Sequence, residues 1–286
     1  MAAGLRFTKM HGIGNDYVYV NGFVETVQDP AALARSISER HFGVGSDGLV
    51  LILPSNVADA RMRMFNADGS ESEMCGNAVR CVGKYVYDAG ICPRDSVRIE
   101  TLAGVKELQL RFAESGVVDG AVVDMGEPEL IAARIPLCVA KEGATQPFVA
   151  HPVHIDGHSY ALTAVSMGNP HAVVFMDGID QLDLPRLGPL FEHHPLFPRR
   201  TNTEFVEVLS RHKLRMRVWE RGAGETLACG TGACAVAVAA VLEGRAERSV
   251  EIELRGGSLH IEWDASNQHV YMAGGATTVF AGTYPL

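Results

Sequence analysis

Two Cys-Gly pairs, Cys75-Gly76 and Cys229-Gly230, lie 154 positions apart, and the same subtraction holds for Glu225 minus Glu71, Glu220 minus Asn66 and Asn169 minus Asn15. Asn202 falls opposite Gly48 on that offset. Chance similarity between two short Cys-Gly pieces would not keep Asn15, 60 residues before Cys75, in step with its counterpart. A shared offset over such a span reads as an internal duplication, and a duplicated plan dictates the architecture before any single element is considered.

The elements follow the same order twice. In the first half, strand-like runs at Leu5–Lys9 and Tyr17–Phe23 precede a helix that Asp29 caps with Pro30 at its first position. Gly48–Leu53 reads as a buried strand, and Ala60–Phe65 alternates in the period of a half-buried one. A polar loop, 66–74, then leads to a helix after Cys75, with Val79, Val82 and Val86 on one face and Gly90 as its stop. The second half offers strands at Tyr160–Val165, Ala172–Phe175, Thr203–Leu209 and Lys213–Trp219, then a glycine-rich loop and a helix after Cys229.

The expected fold is therefore α+β: two similar halves related by a pseudo-two-fold axis, each a mixed or antiparallel sheet wrapped around a central helix. The active site is expected in the cleft between them. The halves are placed at residues 1–128, joined by a returning C-terminal strand at 276–286, and at 129–275.

With 286 residues, 47% of them hydrophobic, the chain can bury substantial cores. A net charge of -9 with no basic stripe argues against nucleic acid as a partner. The start, Met1 to Lys9, shows no basic region followed by an apolar run, and the longest apolar stretch, Ala233 to Leu242, is far short of a bilayer span. No membrane association is expected, and a cytoplasmic location is. Six cysteines then read as free thiols, with Cys81, Cys92, Cys138 and Cys234 as plain core or surface residues.

Cys75 and Cys229 differ from those four because each sits at a helix N-terminus, where unpaired N–H groups and the positive end of the helix dipole gather. Such a position can hold a substrate carboxylate and is expected to lower a thiol's pKa toward neutrality. Two like acid/base groups on opposite faces of a carbon suit its inversion, one removing a proton as the other delivers one. Three other signals carry less. Gly43-Val-Gly-Ser-Asp-Gly48 fits a dinucleotide pattern, but the strand follows it instead of preceding it. His151, His154 and His158 lack metal-ligand spacing and read as an exposed hairpin, so no metal site is expected. The acidic run Asp68 to Glu73 lacks the ligand spacing of a calcium loop.

Taken together, His11-Gly-Ile-Gly-Asn-Asp16, Phe65-Asn-Ala-Asp-Gly-Ser70, Cys75-Gly-Asn-Ala-Val-Arg-Cys81, Gly168-Asn-Pro-His171 and Trp219-Glu-Arg-Gly-Ala-Gly-Glu-Thr226 through Cys229-Gly-Thr-Gly232 closely resemble the diaminopimelate epimerase family. The resemblance implies interconversion of L,L- and meso-diaminopimelate without pyridoxal phosphate or any other cofactor, on the route to lysine and cell wall, by a homodimer. It implies Cys75 and Cys229 as the acid/base pair and His171 and Glu220 as the groups that set thiol protonation. Asn15, Asn66, Asn169, Asn202, Glu220 and Arg221 would bind substrate, while Gly76, Asn77, Gly230 and Thr231 would offer N–H groups to its reacting end. Gly48 departs from members that carry glutamine there, which leaves no side-chain contact at that position.

Three rivals remain open at this level. A proline or hydroxyproline racemase shares paired Cys-Gly motifs but has no use for Glu220, Arg221 and several asparagines together. A redox protein with a Cys75–Cys229 disulfide leaves the asparagines unexplained. A two-lobed periplasmic binding protein conflicts with the absence of an export signal.

Overall fold

The strands of this chain pair in the same sequence of parallel and antiparallel ladders twice. The computed structural model describes residues 4–285; Met1–Ala3, part of the segment in which no signal was read, and Leu286, the last residue of the expected returning strand, lie outside them. By contacts the chain divides into one unit of Met1–Asp124 with Ala273–Leu286 and a second of Met125–Met272.

The first unit runs β1 (Gly4–Gly12), β2 (Asn15–Asn21), α1 (Pro30–Ser38), β3 (Gly48–Leu53), β4 (Ala60–Asn66), β5 (Glu71–Ser72), α2 (Gly76–Asp88), β6 (Ser96–Thr101), β7 (Gly104–Phe112) and β8 (Val118–Asp124). β1 pairs antiparallel with β2, β2 parallel with β3, β3 antiparallel with β4, and β4 parallel with β6. Asp29 caps α1 by accepting from Ala32 N, with Pro30 in the first turn. Helix α2 packs against β1, β2, β4, β6, β7 and β8. Enclosed by that many strands, it buries even Arg80 and Lys84, the latter donating to Val118 O at 2.7 Å.

The second unit runs β9 (His151–Ile155), β10 (His158–Ser166), β11 (Pro170–Phe175), α3 (Leu184–Glu192), β12 (Asn202–Ser210), β13 (Lys213–Glu220), β14 (Gly224–Thr226), α4 (Gly230–Leu242), β15 (Ser249–Leu254), β16 (Gly257–Trp263) and β17 (Val270–Gly275), which crosses the boundary; β18 (Thr277–Pro285) returns to pair with β1. β10 with β11, β11 with β12, β12 with β13 and β13 with β15 repeat the directions of the first unit. Helix α4 is Gly, Ala, Val, Cys and Thr almost throughout, and small side chains on every face let β10, β11, β12, β15 and β16 close around it. The fold class is α+β, a mixed sheet with few helices in two similar units.

The register shows how far the repeat extends. Tyr17 pairs with Gly48 and His171 with Asn202, each shifted by 154. Phe65 pairs with Glu71 and Trp219 with Glu225, shifted likewise. The correspondence moves by one residue outside this stretch: Met10 pairs with Tyr17 but Val165 with His171, and Arg61 with Glu100 but Arg215 with Glu253.

Helix α3 has no counterpart in the sequence reading. Pro189 argues against a helix, yet Asp183 caps it by accepting from Arg186 N. Gly188 brings its backbone against Trp219, whose ring leaves no room for a Cβ at that position.

Candidate active site

Each unit gathers polar side chains around its own cysteine. In the first, Cys75 caps α2 in extended conformation, φ -135° and ψ 121°, without using its side chain as the cap. Sγ instead lies 3.4 Å from Asn15 Oδ1. Asn15 reaches it because Gly14, at φ 85°, turns the chain between β1 and β2 in a conformation that favours glycine. The same Oδ1 accepts from Asn77 Nδ2 at 3.4 Å, while Asn15 Nδ2 donates to Asp47 Oδ2 at 2.8 Å. Arg80, fully buried, donates to Asn77 Oδ1 at 2.9 Å and to Gly76 O at 3.1 Å.

The structure thus brings Cys75, Asn15, Gly76 and Asn77 together. Asn66 closes its own turn, donating through Nδ2 to Ser70 Oγ at 3.0 Å. At Gly48 a Cβ would stand 2.0 Å from Phe65 O and 2.9 Å from Tyr17 Cε1, so the close approach of β3 and β4 excludes any side chain there. Burial pushes Cys81, further along α2, up to about 11, consistent with an inert core thiol.

In the second unit Cys229 caps α4 in the same extended conformation, φ -125° and ψ 109°, and is 5% exposed. Its Sγ is 3.6 Å from Thr231 Oγ1, and Thr231 Oγ1 accepts from Asn169 Nδ2 at 3.4 Å. Asn169 follows Gly168 at φ 98°, the equivalent of Gly14. Its Oδ1 lies 3.1 Å from His171 Nε2, and His171 Nδ1 lies 2.7 Å from Glu204 Oε1, the ring and the carboxylate both being fully buried. Glu220 accepts from Thr226 Oγ1 at 2.5 Å. Asn202 uses both ends of its amide on backbone, donating to Pro170 O at 2.9 Å and accepting from Arg221 N at 2.9 Å. The Arg221 side chain is exposed and donates to Arg199 O at 3.2 Å.

The expectation of a lowered thiol pKa fails at Cys229. Burial, then the nearby Glu220 and Glu204 carboxylates, hold it well above its ordinary value, outweighing the hydroxyl of Thr231 and the N–H of Gly232. Burial also raises Glu220, although Thr226, Cys229 and His171 each favour its charged form. The helix N-terminus is present, but burial, with two carboxylates beside it, reverses the balance that the sequence motif alone suggests.

Glu204, Asp47 and Arg80 were not singled out from the sequence. Glu204 had a signal: a charged residue inside the otherwise buried strand segment Asn202–Val206. Asp47 lies in the glycine-rich turn set aside as a failed dinucleotide motif. The histidines at 151, 154 and 158 are exposed on the β9–β10 hairpin, and no group of three or more potential metal-ligating side chains occurs among the described residues. No helix among the described residues is long and apolar enough to cross a membrane.

Solved structures place the chain in a fold class of two similar domains. It is similar to a phenazine biosynthesis protein of the PhzF family from Bacillus anthracis, with a TM-score of 0.70 at 16% identity over 99% of this chain and 100% of that one. It is also similar to a probable proline racemase from Agrobacterium radiobacter, with a TM-score of 0.67 at 15% identity over 97% and 92%. Sequence narrows this further. The family described as diaminopimelate epimerase matches residues 7–131 and 163–279. A protein of that name from Desulfovibrio desulfuricans is 71% identical over 99% of both chains, and one from Acetivibrio thermocellus is 58% identical over 99% of both. The chain belongs to the diaminopimelate epimerase family, whose members are isomerases.

Proposed function

We propose that this chain interconverts L,L- and meso-diaminopimelate without a cofactor, Cys75 and Cys229 serving as the two acid/base groups. One takes the α-proton as thiolate while the other, as thiol, delivers a proton to the opposite face, and the roles exchange in the reverse direction. The observation that carries this reading is the matched placement of the two cysteines. Each stands at the N-cap of a helix of 13 residues in extended conformation, and neither sulfur makes the cap hydrogen bond. The N–H groups of Gly76, Asn77, Gly230 and Thr231, in the first turns of the two helices, would hold the reacting carboxylate and favour the charge that builds on it. Asn15, Asn66, Asn169 and Asn202 with Glu220 and Arg221 would bind the rest of the substrate, and His171 and Glu220 would set thiol protonation.

The 71% identical relative supports diaminopimelate as substrate. Likeness to a proline racemase at 15% identity speaks to fold alone and does not favour that rival. Six free cysteines suit the reducing cytosol, and the product would feed lysine and peptidoglycan synthesis. A homodimer fits β18, which carries no charged side chain and leaves Val279 and Phe280 54% and 45% exposed.

The test is proton NMR of L,L-diaminopimelate in heavy water with reduced protein and no added cofactor, L-proline being run in parallel. Loss of the α-proton signal with appearance of the meso form, abolished by Cys75→Ala or Cys229→Ala, is the expected result. Exchange on proline alone would overturn the substrate.

A further inference from the structure

Glu204 is fully buried, and its two oxygens differ sharply: Oε1 lies 2.7 Å from His171 Nδ1, whereas Oε2 makes no hydrogen bond. An ionised carboxylate so placed is costly unless a partner compensates it, and such groups persist where they serve a site. The equivalent position of the first unit, 204 minus 154, is Val50, so the strand itself has no need of a carboxylate there. Glu204 also borders the N-terminus of α4. A Cβ at Gly232 would stand 2.6 Å from Glu204 Oε1 and 3.2 Å from Cys229 Sγ.

From Glu204 a continuous chain of polar contacts leads to that sulfur. The steps are Glu204 Oε1 to His171 Nδ1 at 2.7 Å, His171 Nε2 to Asn169 Oδ1 at 3.1 Å, Asn169 Nδ2 to Thr231 Oγ1 at 3.4 Å, and Thr231 Oγ1 to Cys229 Sγ at 3.6 Å. A carboxylate can only accept, so Nδ1 must carry a hydrogen, and the ring is fixed with Nε2 toward Asn169.

We propose that Glu204 is a positioning residue for the epimerase reaction: by binding Nδ1–H it locks the tautomer and ring orientation of His171, and through Asn169 and Thr231 sets the hydrogen-bond direction at Cys229. The inference rests on the epimerase reading of the site. With Nε2 protonated, every donor in the chain points toward sulfur: Nε2–H to Asn169 Oδ1, Nδ2–H to Thr231 Oγ1, and the Thr231 hydroxyl to a Cys229 thiolate. With Nε2 bare, the Asn169 amide turns over, Nδ2 donates to Nε2, Oδ1 accepts from Thr231, and the thiol S–H donates to Thr231 Oγ1. The two arrangements hold the same number of protons, one resting on His171 or on Cys229. Glu220, which faces Cys229 from β13, is the other titratable group in this surround, and Cys229 on α4, His171 on β11 and Glu204 on β12 complete it.

The experiment uses the full-length protein with 15N-labelled histidine. In the wild type, the two ring nitrogens of His171, assigned by comparison with His171→Gln, are expected to show the neutral ring protonated on Nδ1, the nitrogen that faces Glu204. A neutral ring protonated on Nε2 alone would overturn the proposal without recourse to any variant. Glu204→Gln and Glu204→Val are then expected to lower kcat by about 100-fold in both directions with KM little changed, and to move the pH profile of kcat. Wild-type kcat and pH profile in either folded variant would overturn the role of Glu204. The epimerase reading fails separately, if the wild type exchanges no α-proton of diaminopimelate.

Discussion

Arg217 grips Glu225 through two parallel hydrogen bonds, Nε to Oε1 at 2.8 Å and Nη2 to Oε2 at 3.1 Å, tying β13 to β14 just ahead of Cys229. Arg63 grips Glu71 in the same way at 2.7 and 2.9 Å. The glutamates that share the 154-residue offset are therefore hairpin clamps in both units, and they do their part by holding the segment that leads into each cysteine helix.

The clamp in the second unit is the less exposed, at 11% and 15%, and its loss should be measurable. Burial raises the Glu225 carboxyl, but Arg217 and then Arg255 bring it below its usual value. A lowered folded-state pKa contributes stability that is present above the unfolded value and lost as pH falls through the folded one. Glu225→Gln is expected to cost about 1.5–3 kcal/mol at neutral pH. In urea melts that gap should narrow below about pH 4.3.

Gly232→Ala should disturb the surround of Cys229 without replacing a reacting group. Its methyl would meet Glu204 Oε1 at 2.6 Å and crowd Cys229 at 3.2 Å, so either the carboxylate or the sulfur must move. Activity is expected to fall by about 100-fold, against about 1–3 kcal/mol of overpacking in thermal or urea melts. Unchanged activity in a folded variant would show that the carboxylate yields freely.

The two thiols should differ toward alkylating agents. Cys229 is buried and held up by burial, Glu220 and Glu204, while Cys75 is half-buried. Peptide mapping after a short iodoacetamide pulse near pH 7.5 should find Cys75 modified ahead of Cys229, because the thiolate is the nucleophile. The Cys229 rate should climb only at strongly alkaline pH.

Gly48→Gln is expected to destabilise this chain. With Phe65 O 2.0 Å from the new Cβ, β3 and β4 would have to part, at about 1–3 kcal/mol or more by denaturant melts. A neutral result would mean that the ladder between Gly48 and Asn66 can shift.

Much of this was legible in the sequence because it rests on local signals. Asp29 with Pro30 announced α1, and Cys-Gly before an apolar run announced α2 and α4. Helix α3 went unread although Asp183 stands 154 positions after Asp29 and caps it in the same way, with Pro185 in its first turn; Pro189 inside the segment, a helix breaker by propensity, obscured that signal. Glu204 was not singled out because its meaning lies in a partner 33 positions away, His171. The raised state of Cys229 was likewise hidden: a motif shows the helix N-terminus that lowers a thiol's pKa, but only the fold shows the burial and the two carboxylates that raise it.

The one-residue slips in the repeat carry a lesson about chain length. From Gly14 to Cys92, and from Gly168 to Ala246, the left-handed glycines at the two ends of the stretch, Gly14 with Gly168 and Gly90 with Gly244, keep one spacing with the strand ladders, hairpin clamps and helix ends; the slips fall in the turn before Gly14 and the loop after Cys92. Those outer connections behave as elastic, able to absorb a gained or lost residue. The stretch inside them works as a ruler, on which strand pairing and the start of each cysteine helix are read from the same zero. An insertion anywhere along that ruler would put the sulfur out of step with the asparagine beside it, however well the separate elements folded.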